Sequence, residues 1–272
     1  MVDSKPVTNN AVGHIQVNSL TVRFQRAEGP VEVLDALSFT VLPGEFVCLL
    51  GTSGCGKSTI LNALAGFISP TEGTIHLDGR VLNSPGPDRG MVFQKHALFP
   101  WMTVRRNVEF GLKMARISGE LRRRVGQQFI DLVGLTGFEN RYPAELSGGM
   151  EQRVGLARVL ALDPLVLLMD EPFGSLDAQT RLLMQELLLR VWDETKKTVV
   201  FVTHDVDEAI LLADRIIVLT ARPAGIKEQI DVCLPRPRSS DLVTAHEFVS
   251  IKQHALKLIR EESDFVFRAE RG

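Results

Sequence analysis

The chain has 272 residues, 44% hydrophobic and 24% charged, the balance of an ordinary folded protein of one large domain or two small ones. Lys and Arg number 31 against 33 Asp and Glu, a net charge of -2 without the basic excess that marks nucleic-acid binding. Its 3 cysteines form neither a metal spacing nor a disulfide framework, and no apolar run approaches the ~20 residues that span a bilayer.

Residues 1–13 are polar, without the apolar centre of a signal peptide, and read as a disordered tail. Residues 14–24 alternate apolar and polar side chains (Ile15, Val17, Leu20, Val22, Phe24), the pattern of a half-buried strand. Residues 31–41 give a second strand, and Leu42, Pro43 and Gly44 turn the chain. An antiparallel layer is therefore expected first. Residues 45–50 then form a short apolar run, read as a buried strand.

Gly51, Thr52, Ser53, Gly54, Cys55, Gly56, Lys57, Ser58 and Thr59 follow that strand and open a helix over 58–65. Two glycines five apart, then lysine and a hydroxyl residue, make a phosphate-binding loop. Gly51, Gly54 and Gly56 can adopt backbone angles closed to other residues, which turns N–H groups inward as an anion nest. Lys57 offers a charge to the β and γ phosphates and Ser58 a hydroxyl to Mg²⁺. The N-terminus of the helix faces the same anion. Cys55, at that helix N-terminus beside Lys57, is expected to have a lowered thiol pKa.

Residues 74–77 and 91–93 are short strands separated by a Pro/Gly-rich loop, the second ending at Gln94. Phe99, Pro100 and Trp101 form an apolar cluster in a loop-like setting. The period then becomes helical. Val104, Val108 and Leu112 are four apart, as are Leu121, Val125 and Phe129, with Thr103 as a cap. This helical block runs over about 103–161 and contains Leu146, Ser147, Gly148 and Gly149, with Ser147 at an N-cap position. Residues 165–169 are wholly apolar and end on Asp170 and Glu171. Because ligands lie at the carboxyl ends of parallel strands, Asp170 is a metal-ligand candidate and Glu171 a candidate base for water. Helix, strand, helix and strand alternate over 179–219, which predicts a mostly parallel sheet flanked by helices. An edge strand over 226–233, a linker at 236–240 and a closing amphipathic helix complete the chain.

In this order, the phosphate loop, Gln94, the Leu146–Gly149 tetrad, Asp170 and Glu171, Ser175, Leu176 and Asp177, and Thr203, His204 and Asp205 resemble the nucleotide-binding subunits of ABC transporters. The resemblance covers about the first 220 residues, and the tetrad is its most specific part. The family pattern usually continues with Gln where this chain has Met150. The resemblance implies an α/β fold: a phosphate-loop NTPase core, mostly parallel with flanking helices, plus an antiparallel β layer and a helical signature subdomain. It implies an ATPase domain over 14–235, followed by a C-terminal linker and helix over 236–272. ATP and Mg²⁺ are the implied cofactors. Phe24 would stack on adenine, Gln94 would sense Mg²⁺ and water, and His204 would contact Glu171 and the γ-phosphate. Ser147, Gly148 and Gly149 would grip ATP held by a second copy of the chain, with Asp177 coupling the two sites. The implied partners are that second copy, a membrane permease meeting Phe99, Pro100 and Trp101, and a periplasmic solute-binding protein, at the cytoplasmic face of the inner membrane.

Asp88, Arg89 and Gly90, Trp101 after Pro100, and Arg222-Pro223 further resemble importers of nitrate, sulfonates and taurine, leaving a different solute or an exporter as the alternative. DNA-repair ATPases of this family carry a long coiled coil between loop and tetrad, where this chain has about 90 residues without heptads. Translation-linked members usually carry two cassettes, and small-molecule kinases lack the tetrad and His204.

Overall fold

The apolar patterns of the chain build two sheets of different character. In the computed structural model, which describes residues 12–27, 29–94 and 97–269, the alternating segments β1 (Ile15–Arg26) and β2 (Gly29–Val41) pair antiparallel. With β4 (Glu72–Leu77) and β5 (Arg80–Val81) they form a sheet ordered β2-β1-β4-β5. Ile15, Val17, Leu20 and Val22 are buried in it. Alternation alone would bury Phe24 with them. The ladder instead shifts register between Val22 and Arg23, and Phe24 emerges 39% exposed. Most of the proposed N-terminal tail lies outside the described residues. Gly13 donates its N–H to the Asp78 carboxylate at 2.9 Å.

The continuous apolar runs make the second sheet, as expected for strands covered on both faces. It contains β3 (Phe46–Leu50), β6 (Arg89–Val92), β7 (Val166–Asp170), β8 (Thr198–Thr203), β9 (Arg215–Leu219) and β10 (Ile226–Asp231), ordered β10-β9-β3-β8-β7-β6. Every pairing is parallel except that of the edge strand β10. Its register sets Leu50 opposite Thr203 and Asp170 opposite Val202, so the carboxyl ends of β3, β7 and β8 finish at one level.

The flanking helices are α1 (Lys57–Ala65), α6 (Ala178–Thr195), α7 (Val206–Leu212) and α8 (His246–Ala269). The helical block consists of α2 (Val104–Val108), α3 (Phe110–Met114), α4 (Gly119–Leu132) and α5 (Gly148–Leu160). The periodicity over 104–112 suggested one helix. The chain instead steps at Glu109, whose buried carboxylate meets Arg122 at 3.1 Å. No helix among the described residues is long and apolar enough to cross a membrane.

The stretch read as a linker is firmly anchored. Arg236 pairs with Asp214 at 2.7 Å and lies over the Trp192 ring at 4.0 Å. Arg238 is 6% exposed and donates to the carbonyls of Ile210, Leu211, Ala213, Val232 and Leu234. Three of those carbonyls end α7, where a cation suits the helix dipole. Burial lowers the Arg238 pKa to about 10. A polar side chain that satisfies buried acceptors is costly to remove, at about 1–3 kcal/mol for each group left unpaired. Arg238→Met should therefore lower unfolding free energy by about 2 kcal/mol or more, measured by urea denaturation. An unchanged midpoint would contradict this role.

Candidate active site

The phosphate loop links β3 to α1 through residues in unusual conformations. Gly56, at the N-cap of α1, has φ 122°, and a Cβ there would also lie 2.9 Å from Leu34 Cδ2. A side chain at this position would meet both strain and a clash.

Lys57 is 5% exposed. Its Nζ donates to the carbonyls of Gly51 and Thr52 at 2.9 Å each and lies 3.9 Å from Glu171 Oε1. Ser58 Oγ donates to Asp170 Oδ1 at 2.9 Å. Burial pushes the Asp170 carboxyl pKa up, against the opposing pull of the Ser58 hydrogen bond. The loop, Glu171 and Phe24 border a cavity of about 350 Å³, with Ser53, Gly54, Gly56, Ser58 and Thr59 among its lining.

Glu171 follows the end of β7 with φ 41°, a left-handed conformation rare for a residue with a side chain. Its N–H bonds the carbonyl of Val202 on the neighbouring strand at 3.0 Å. The turn brings one carboxylate oxygen toward Lys57 and the other to 3.1 Å from His204 Nδ1. Strain of about 1–3 kcal/mol persists where the surroundings dictate it, commonly at functional sites. Gln94 reaches the same corner: a Cβ built on Gly174 would lie 3.7 Å from Gln94 Nε2 and 3.8 Å from Glu171 Oε2.

His204 is held by its neighbours. Asp205 caps α7 by accepting from the N–H groups of Asp207 and Glu208, and its own N–H donates to Thr203 Oγ1. Behind it, buried Glu208 accepts from Gln185 Nε2 at 3.0 Å, and burial raises its carboxyl pKa. The sequence reading missed this support because Gln185 and Glu208 sit in ordinary amphipathic helices, 23 residues apart. A charged residue on an apolar face of α7 was the available signal.

The structure does not join Ser147 and Gly149 to the Lys57 cavity. They border another, of about 300 Å³, with Thr180. Ser147 caps α5 by accepting from Met150 N–H at 3.3 Å, and Gly148 opens the helix. A methyl at Gly149 would fall 2.4 Å from Thr180 Cγ2, so glycine permits the contact with α6. Asp177 caps α6 by accepting from Thr180 N–H at 3.0 Å, and the Thr180 hydrogen bonds hold its carboxyl pKa down. Candidate residues thus fall into a phosphate-loop group and a tetrad group within one chain.

The donors fit the implied cofactors. Ser58 and Asp170 supply hard oxygen donors side by side, with Ser58 Oγ 2.9 Å from Asp170 Oδ1. Mg²⁺ typically uses one or two carboxylates and the phosphates of its substrate. No group of three or more His, Cys, Asp or Glu that could hold a metal occurs among the described residues.

Cys55 corrects one expectation. Its side chain is 2% exposed and packs in the apolar cluster under the loop, where burial raises the thiol pKa over the opposing pull of Lys57. It belongs to the loop by backbone, with its N–H on Thr52 O at 3.3 Å. Desolvation wins because the thiolate would form among hydrocarbon. In the folded chain, iodoacetamide should modify Cys55 at least roughly tenfold more slowly than exposed Cys233. Peptide mass spectrometry measures this, and equal rates would contradict the burial account.

A profile of the ABC transporter family matches residues 34–174. An uncharacterized ABC transporter ATP-binding protein of Methanocaldococcus jannaschii is 48% identical over 248 residues, 91% of this chain and 92% of that protein. A nitrate import ATP-binding protein, NrtD, of Synechocystis sp. is 49% identical over 222 residues, 82% of this chain and 84% of that protein. An aliphatic sulfonates import ATP-binding protein, SsuB, of Bacillus cereus is 42% identical over 245 residues, covering 89% and 94%. Among solved structures, an ATP-binding cassette in a dimeric post-hydrolysis state with ADP and Pi superposes with a TM-score of 0.71 at 33% identity, covering 80% of this chain and 98% of that one. Phosphate loop, strand-end carboxylates and tetrad thus stand in the setting of a known ATPase, and the chain belongs to the ABC transporter family as an ATP-hydrolysing, ATP-binding subunit.

Proposed function

We propose that this chain powers the import of a small oxyanion, nitrate or a sulfonate such as taurine, as one of two identical ATPase subunits. The observation that carries the catalytic reading is Glu171, turned toward Lys57 and His204 by its left-handed backbone. Lys57 and the loop N–H groups hold the β and γ phosphates. Glu171 accepts the proton of the attacking water, His204 orients that carboxylate, and Gln94 positions the water. Ser58, Asp170 and Gln94 would hold Mg²⁺, which when bound neutralises charge on the phosphates. Phe24 carries the adenine ring.

The separation of the tetrad from the Lys57 cavity supports a shared site. Ser147, Gly148 and Gly149 of one copy close on ATP bound by the other, with Asp177 at the seam. ATP then holds the dimer closed and hydrolysis opens it, a switch driven by the γ-phosphate.

The solute class rests on the named import functions of the nitrate and sulfonate relatives, which also favour import over export. A permease and a periplasmic binding protein complete the complex at the cytoplasmic face of the membrane. The permease contact is the loop around Trp101, which is 68% exposed. Buried Asn107 holds that loop rigid through Phe99 N–H and the carbonyls of Phe99, Met102 and Thr103. Phe99 lies 4.5 Å from Phe110, and Trp101 beside it edges a cavity of about 470 Å³, a natural seat for a partner helix.

Glu171→Gln should leave ATP affinity within about threefold of wild type while lowering turnover at least about a hundredfold, the scale of a general-base loss. Phosphate release and equilibrium binding measure the two. Retained turnover would remove Glu171 as the base. Trp101→Ala should preserve the ATPase of the isolated subunit and reduce its co-purification with the permease. Equal co-purification would place the contact elsewhere.

A further inference from the structure

The nucleotide cavity has another wall, built from a loop that the motifs leave without a role. β9 runs parallel to β3 with Val218 opposite Leu50, so the chain leaving Leu219 emerges beside the phosphate loop. Residues 220–225 are pinned there. Thr220 N–H donates to Gly225 O at 2.9 Å, and Gly225 N–H returns to Thr220 Oγ1 at 2.7 Å. Ala224 N–H donates to Val33 O at 2.8 Å, and Asp35 N–H donates to Ala224 O at 3.0 Å, which staples the loop to β2. Ala221 N–H donates at 2.7 Å to Glu262 Oε2 on α8, while Glu262 Oε1 accepts from Lys227 at 2.8 Å.

Arg222 is what this scaffold presents. It is exposed and borders the cavity with Phe24, Val33 and Lys57. Arg23, next to Phe24 on β1, is by contrast engaged by Glu32 and Glu72. The Arg222 guanidinium has neither hydrogen bond nor ion pair among the described residues. An unneutralised guanidinium on a fixed loop, at the rim of a polyanion cavity, has its natural counterpart in the polyanion.

We propose that Arg222 is a nucleotide-contact residue, closing the cavity between Phe24 and the phosphate loop and holding the charged nucleotide, with Glu262 of α8 positioning its loop. The inference rests on the reading of this cavity as the ATP site. Arg222 lines the same cavity as Glu171, but no hydrogen bond or ion pair among the described residues joins it to Glu171 or His204, so its assigned part is to bind substrate and transition state alike. Such uniform binding appears in KM and not in kcat.

The test uses the full chain and its Arg222→Ala, Arg222→Lys and Glu262→Gln variants. A fluorescent ATP analogue reports affinity, phosphate release gives kinetics, and thermal melting monitors the fold. Arg222→Ala should weaken ATP binding and raise KM by about tenfold, the scale of a single charge-assisted contact. Its kcat should stay within about twofold, with the melting temperature unchanged. Arg222→Lys should recover most of the affinity, and Glu262→Gln should weaken binding less than Arg222→Ala. Arg222→Ala binding ATP within twofold of wild type overturns the proposal and leaves the ATP site standing. A loss of affinity with a lowered melting temperature and no rescue by lysine also overturns it, because Arg222 then only holds the loop. A wild-type chain that bound no ATP would overturn the reading of the cavity itself.

Discussion

Lys57 carries a full charge to a place where only 5% of it is exposed, and the surroundings give it two carbonyls and a carboxylate at 3.9 Å. A buried ammonium is costly unless its donors and its charge are met. Meeting them requires three strands to end at one level. β3 delivers the loop, β7 delivers Asp170 and Glu171, and β8 delivers Thr203 and His204. The parallel register fixes that alignment, and the apolar runs fix the strands. The candidate site is thus a property of the sheet as much as of the glycine-rich loop.

Within this frame, Glu171 is held from several sides. Its left-handed backbone, its N–H on Val202 and its oxygens toward Lys57 and His204 leave little freedom. Such a carboxylate is pre-oriented, so orientation entropy is spent during folding and not during the reaction. The tetrad is organised independently, through Ser147, Gly149 and Thr180 against α6. Two preformed halves within one chain suit a catalytic unit that assembles from two copies.

Much of this was legible in the sequence, where the signal was local. Spacing marked the glycine-rich loop between β3 and α1, and Ser147 and Thr103 are caps by side chain and position. β8 and β9 followed from apolar runs bounded by polar residues. What escaped depended on distant partners. Cys55 sits beside a lysine and a helix N-terminus in sequence, yet its side chain belongs to an apolar cluster that draws on strands distant in sequence, with Leu34 of β2, Leu49 of β3 and Leu219 of β9 among its members. Arg236 and Arg238 flank Pro237 like linker residues, but their partners lie around 210–214 and 232–234. Arg222 had a noticeable Pro neighbour and no visible destination, because the cavity it borders is formed by β1, β2, the loop after β3 and Glu171 after β7.

The central claim, that each ATP site is completed by a second copy, is tested most directly by mixing two inactive variants. Lys57→Ala removes the phosphate-loop charge and Ser147→Arg blocks the tetrad. In a mixed dimer one site has both defects and the other has neither. The account predicts little ATPase from either variant alone and clear recovery on mixing. Activity in the mixture no greater than the average of the two variants alone would mean that each chain works with its own tetrad, or without one.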